Sequence, residues 1–318
     1  MGTILVTGGA GFIGSHLTAQ LLGRGAEVVC IDDFNDYYDP TFKRENVGPF
    51  RANPLWHLVE GDIRDAALVE QTYRKFSVAT TVHLAARAGV RPSIRQPLLY
   101  EEVNGVGTLN MLEGARHAGA GTFIFGSSSS VYGINSKVPF SEEDPVTYPV
   151  SPYAATKRAN ELMAYTYHHL YGLAVTCLRF FTVYGPRQRP EMAIYHFTEK
   201  LARGEPVPRY GDGSSARDYT YIDDIVEGTL AALDAAAPFE IVNLGGSRTT
   251  TLRRLIELIA GTLGVEPRIL ELPPQPGDVP ITFADVGRAR RLWGWQPRVP
   301  IEEGIERFVA WYRAERLR

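Results

Sequence analysis

Cysteine is nearly absent, with two residues, Cys30 and Cys177, among 318. Each lies in an apolar, strand-like run, so both read as buried reduced thiols, which argues against a disulfide framework, a cysteine metal site and a cysteine nucleophile alike. An excess of either charge is lacking as well. Thirty-three basic and 36 acidic side chains leave a net charge of -3 without a long single-sign run, which speaks against a nucleic-acid or anionic-membrane partner. No apolar stretch is long enough to span a bilayer. Met1-Gly2-Thr3-Ile4-Leu5-Val6-Thr7 enters a strand-like pattern directly, with no basic region, cleavable apolar segment or myristoylation signal. These absences lead to the expectation of a cytoplasmic protein whose partner is a small molecule. No metal is expected, because His83, His117, His168 and His169 have no partner at metal-ligand spacing and read as packing or surface residues. Internal repeats and low-complexity tracts are missing too.

What the chain does contain is enough apolar matter, 44% of residues, to bury a substantial core. β-rich runs near 3–7, 26–31, 55–59, 78–84 and 121–127 alternate with helix-like stretches at 12–24, 65–75 and 98–118. That rhythm predicts an α/β fold, a Rossmann-type doubly wound parallel sheet. A further helix at 152–171 and strand at 173–180 complete it, giving an expected domain over 1–181 and a smaller lobe over 182–318. Residues 223–246 again read as helix then strand and are expected to return to the sheet. The stretch 33–54 reads as a long loop shaping the adenosine end of a cofactor site.

Thr7-Gly8-Gly9-Ala10-Gly11-Phe12-Ile13-Gly14 follows a strand and opens a helix. In that setting Gly8 permits a tight turn, Gly11 lets backbone amides approach a pyrophosphate, and Gly14 lets helix and strand pack closely. Asp32 ends the second strand about 20 residues on, where a carboxylate accepts bonds from ribose hydroxyls and repels a 2′-phosphate, so NAD is expected over NADP. Asp62 and Ile63, after the third strand, are candidates to flank adenine. Phe125-Gly126-Ser127-Ser128-Ser129-Ser130 puts four hydroxyls at the carboxyl end of a buried strand, the edge where ligands of parallel sheets gather. Tyr153 and Lys157 follow one helical turn apart in Ser-Pro-Tyr-Ala-Ala-Thr-Lys, with Ser151 as N-cap and Pro152 as first helical residue. An ammonium at i+4 favours ionisation of a phenol, which makes Tyr153 a candidate base. Ser128 is the first choice for a proton donor or relay to the same oxygen, with Ser127 and Ser129 in reserve.

Together with RFFTVYGP at 179–186, RPEMA at 189–193, RDYTYIDDIV at 217–226, AGVRPS at 88–93 and QPGDVP at 275–280, these motifs resemble the extended short-chain dehydrogenases/reductases, and among them the UDP-glucuronate 4-epimerases. The resemblance is nearly end to end. It implies a catalytic set of Ser128, Tyr153 and Lys157. Cofactor contacts are implied from Gly8, Gly11, Phe12, Ile13, Gly14, Asp32, Asp62, Ile63 and Lys157. A UDP-sugar would be held by Arg189 and Arg217 on the diphosphate, with Arg91, Asp278, Thr182, Ser127 and Ser129 as further contacts. The implied reaction is reversible inversion at C4 of a UDP-hexuronate through a 4-keto intermediate, with a tyrosine base and transient NADH, in a homodimer. Thr182 stands where glucose epimerases tend to carry Asn, leaving room for a C5 carboxylate. Arg87 and Arg187 depart from the pattern, standing in place of Gln and Trp. Ser129 and Ser130 replace the Asp-Glu of the 4,6-dehydratases, and Ser130 the Glu of the decarboxylases. UDP-glucose 4-epimerase remains the alternative, and a non-catalytic NAD-sensing or scaffold protein a remote one.

Overall fold

In the computed structural model, which describes residues 2–135, 137–273 and 279–317, strands β1 (Thr3–Thr7), β2 (Val28–Asp32), β3 (Trp56–Glu60), β4 (Val78–His83), β5 (Thr122–Ser128) and β6 (Ala174–Phe180) are all parallel neighbours. Past them come the short strands β7 (Thr182–Tyr184), β8 (Val207–Tyr210), β9 (Ala216–Arg217) and β10 (Tyr219–Tyr221), and then β11 (Phe239–Leu244). β11 pairs with β6, so the seven-stranded sheet runs β11-β6-β5-β4-β1-β2-β3. Winding reverses between β1 and β4, where Thr7 lies beside His83, and a crevice opens there beyond the carboxyl ends.

Burial on both faces explains the continuous apolar runs of the central strands. Ile4 and Val6 of β1 pack on one side with Leu17, Ile225, Phe308 and Tyr312, whereas Leu5 faces Ile31, Tyr73, Met111 and Phe123 on the other. The two-residue period of the strand thus sends neighbouring side chains to opposite helix layers. One layer includes α1 (Phe12–Gly23) and the C-terminal helix Ile301–Arg316.

Two stretches differ from their expected form. Residues 33–54 contain a helix, α2 (Thr41–Val47), and a 3-10 turn, Gly48–Phe50. After α3 (Ala66–Phe76) and α4 (Val90–Arg95), the single helix expected at 98–118 divides into α5 (Pro97–Tyr100), a π-helical turn Glu101–Val106, and α6 (Gly107–Ala118). The wide turn carries Asn104, which accepts from Arg87 N at 2.8 Å and donates to Arg87 O at 3.0 Å and Thr156 Oγ1 at 3.1 Å. Residue 87 is thereby fixed by its backbone beside the crevice, and its guanidinium is left to reach over it.

His83, at the end of β4, is a packing residue with a specific duty. Its Nδ1 is 2.6 Å from Thr7 Oγ1 and its Nε2 3.0 Å from Thr108 Oγ1. Burial, aided by the charge of Lys157, drives its pKa down to about 3, so the ring is neutral at physiological pH. Among the described residues no cluster of His, Cys, Asp and Glu has the form of a metal site, and no helix is long and apolar enough to cross a membrane.

Candidate active site

The glycine turn joins β1 to α1 under tight steric limits. Gly8 has φ +67°, and a Cβ on Gly14 would lie 2.2 Å from Gly8 O. A side chain at either position would push the turn off the helix. α1 starts after Gly11 with no side-chain cap, so its first amides are available to an anion, and Gly8, Gly11, Phe12, Ile13 and Gly14 all line one cavity. These features fit a dinucleotide pyrophosphate.

Asp32 lies at the same cavity and is almost fully buried. Its Oδ2 accepts from Ala10 N at 3.1 Å, and its Oδ1 from Phe34 N at 3.0 Å and Lys43 Nζ at 3.0 Å. Little of the carboxylate is left for a ribose, and Lys43 supplies a donor of its own next to it. Lys43 carries no signature in the sequence, where 33–54 reads as a loop; the helix α2 turns its side chain inward. Asp62 and Ile63 line the cavity too, with Asp62 held by Arg64 Nε at 2.9 Å.

α7 (Pro152–Tyr171) brings in the reactive residues. Ser151 Oγ accepts from Ala154 N at 3.1 Å, which starts the helix so that Tyr153 falls in its first turn. Burial raises the phenol pKa, while a hydrogen bond with Ser128 and the charge of Arg189 pull it back. Ser128 Oγ also accepts from Ser130 N at 3.1 Å, which orients the hydroxyl at the strand end. Lys157 Nζ donates to Gly126 O at 2.6 Å, and burial lowers its pKa to about 8 against the opposing pull of Glu161. Tyr153, Lys157 and Ser127 to Ser130 all reach the cavity that holds the glycine turn, so a proton acceptor, a cation and hydroxyl donors face one space of about 450 Å³.

Of the substrate-contact candidates, Ser129, Thr182 and Arg189 line this cavity. Ser127 lies at its wall, but its hydroxyl donates to Glu161 Oε1 at 2.7 Å. A carboxylate fully enclosed by protein holds that hydroxyl away from the role of substrate donor. Arg91 and Arg217 are not on the cavity wall: Arg91 lies over the Tyr210 ring at 5.2 Å, and Arg217 Nη1 donates to Ala216 O at 2.9 Å. Asp278 lies outside the described residues. Arg87 is on the wall, whereas Arg187, with φ +63°, keeps a buried Nη1 that has no hydrogen-bond partner.

The model of a family described as GDP-mannose 4,6-dehydratase matches residues 5–308. The chain belongs to the extended short-chain dehydrogenases/reductases. It is 42% identical to UDP-glucuronate 4-epimerase 1 of Arabidopsis thaliana, across 98% of this chain and 76% of that one. The solved UDP-glucuronic acid 4-epimerase of Bacillus cereus, in complex with UDP-glucuronic acid and NAD, is 34% identical with a TM-score of 0.93 and covers 98% of this chain and 99% of its own. UDP-glucose 4-epimerase of Thermotoga maritima with UDP-glucose is 36% identical, TM-score 0.90, with 98% and 99% covered.

Proposed function

We propose that this enzyme inverts C4 of a UDP-hexuronate, converting UDP-glucuronate to UDP-galacturonate and back with NAD. The observation that carries the reading is the meeting of Tyr153, Lys157, Ser128 and Thr182 with the glycine turn around one cavity. Residues 1–181 would hold chiefly the cofactor, with Gly8, Gly11, Phe12, Ile13 and Gly14 at its pyrophosphate, Asp32 and Lys43 at the ribose, and Asp62 and Ile63 near adenine. Residues 182–318 would contribute mainly to the nucleotide sugar, with Arg189 and Arg217 toward its diphosphate and Arg91, from the first segment, as a further contact. The bound cofactor supplies a reversible hydride acceptor.

Tyr153 takes the proton of the sugar 4-hydroxyl as that carbon becomes trigonal, and Ser128 donates to the same oxygen. Lys157, pinned to Gly126 O, holds positive charge beside the phenolate. With the diphosphate anchored, the ketose turns about its phosphate bonds, and Tyr153 returns the proton as the opposite face is reduced. Thr182 and the hydroxyl of Ser129 hold the C5 carboxylate out of line with the carbonyl. That matters because a 4-keto-uronate is a β-keto acid and loses carbon dioxide once those orbitals align.

The deciding assay incubates the protein with UDP-glucuronate and, separately, UDP-glucose, with no added NAD, and resolves galacto, gluco and pentose products. Galacturonate without pentose is expected from the wild type, and more pentose from Thr182→Ala. Turnover of glucose alone sinks the reading, and unchanged pentose in the variant sinks the role of Thr182.

The proposal extends to a cytoplasmic homodimer. Exposed apolar residues on α5 and α7, among them Leu98, Leu162, Met163 and Leu170, support pairing through these helices. A monomeric mass in solution scattering overturns it.

A further inference from the structure

We propose that Tyr37 is a positioning residue that holds the Arg189 guanidinium over the cavity for the substrate diphosphate. The inference rests on the role given to Arg189 above and concerns a side chain from the opposite end of the site. Residues 33–38 leave β2 at Asp32, yet Tyr37 reaches across to the segments 84–89 and 187–192. Its ring centroid is 5.6 Å from Arg189 Cζ and 5.5 Å from Arg87 Cζ. Two guanidinium groups therefore converge on one aromatic ring at the cavity wall. Like charges do not gather without compensation. The ring's π cloud provides part of it, and a doubly charged anion between them would provide the rest.

The phenol is itself fixed. Its hydroxyl donates to Ala88 O at 2.8 Å, and Tyr37 N donates to Asn35 Oδ1 at 3.1 Å. Burial raises its pKa, which keeps the donor proton in place. Residue 89 must be glycine for this approach: its φ is +101°, and a Cβ there would lie 2.9 Å from the Tyr37 oxygen. The same carbonyl of Ala88 accepts from Tyr100 at 2.6 Å, and the Tyr100 ring meets Tyr153 edge-on with centroids 6.3 Å apart. The platform under Arg189 is thus built into the wall that carries the base.

Among the described residues, Arg189 has a competing ion-pair partner in Glu191, whose Oε1 is 3.2 Å from Nε. Glu191 is exposed and on the same loop, so it neutralises the guanidinium without aiming it. With the ring removed, Arg189 would stay paired to Glu191 but lose its direction.

The test compares wild-type holoenzyme with Tyr37→Leu, Tyr37→Phe, Arg189→Gln and the double variant Tyr37→Leu/Arg189→Gln. KM for UDP-glucuronate, inhibition by UDP, kcat, bound NAD and melting temperature are read for each. A cation–π contact at a partly desolvated site predicts that Tyr37→Leu raises KM and the UDP inhibition constant about fivefold to twentyfold, with bound NAD unchanged and kcat falling by less than KM rises. Tyr37→Phe, which keeps the ring, should stay within about threefold of wild type. The double variant should be no worse than Arg189→Gln alone, because Tyr37 acts through that arginine. Unchanged KM in Tyr37→Leu, losses that multiply in the double variant, or losses that follow bound NAD or melting temperature overturn the proposal. If Arg189→Gln leaves KM and UDP inhibition unaltered, the assignment of Arg189 falls first and that of Tyr37 with it. A clear effect of Arg189→Gln beside a silent Tyr37→Leu removes only the present inference.

Discussion

Tyr153→Phe is expected to cut kcat by about a thousandfold, within the range that a positioned acid or base contributes, while leaving the melting temperature where it is. The substitution removes one oxygen and nothing else. The phenyl ring retains its edge-on packing against Tyr100, with centroids 6.3 Å apart, and the helix start at Ser151 is untouched. What disappears is the atom that must accept a proton from the sugar and return it. In this chain burial opposes phenolate formation, with Ser128 and Arg189 working against burial. The i+4 ammonium that the sequence suggested as the nearest help is tied instead to Gly126 O. On the proposed mechanism Lys157 would act through the field of the site rather than as a direct ion pair of the phenol. Product separation over a time course measures kcat, and a variant within tenfold of wild type would remove Tyr153 as the base.

The second large effect is on stability. Glu161 and Arg179 form a pair with side chains 0% and 2% exposed, joined by Nε–Oε1 and Nη2–Oε2 bonds of 2.9 Å each. Arg179 Nη1 is buried with no partner already, and the guanidinium lies over the Tyr132 ring at 4.8 Å. Such a pair adds little over well-packed apolar residues of the same size, but removing one half strands a charge. Glu161→Met is therefore expected to lose about 3–5 kcal/mol, read as a lower urea midpoint at constant slope. Glu161→Met/Arg179→Met should regain most of that loss, since the buried charge is then gone and the other cation on Glu161, Arg158 at 3.0 Å, has a side chain 27% exposed that water can reach. A single variant within about 1 kcal/mol of wild type, or a double variant worse than the single one, sinks the account. Because Ser127 also donates to Glu161, the variants show as well whether that hydroxyl must be held for turnover.

Much of this was legible in the sequence, for identifiable reasons. The alternating β and α periods, the glycine spacing around Gly8 and Gly14, the Ser151-Pro152 helix start and the i, i+4 placement of Tyr153 and Lys157 are local patterns, and local patterns survive in one dimension. Features that depend on distant chain segments did not. Lys43 meets Asp32 only because α2 folds under the crevice, and the π turn at Asn104 exists to bond the backbone of Arg87, neither of which has a periodic signature. Ser127 stands in reserve with Ser129 behind Ser128 in the sequence, and only Glu161, from another element, removes its hydroxyl from that role. Tyr37, in a stretch assigned to the adenosine end, reaches the opposite side because Gly89 leaves it room.

The bond from Lys157 to Gly126 O joins α7 to the strand residue just before the serines. Since that strand is interior to the sheet, flanked by β4 and β6, ammonium, phenol and hydroxyls are anchored to the least yielding part of the framework, and their mutual spacing does not depend on the loops that border the opening.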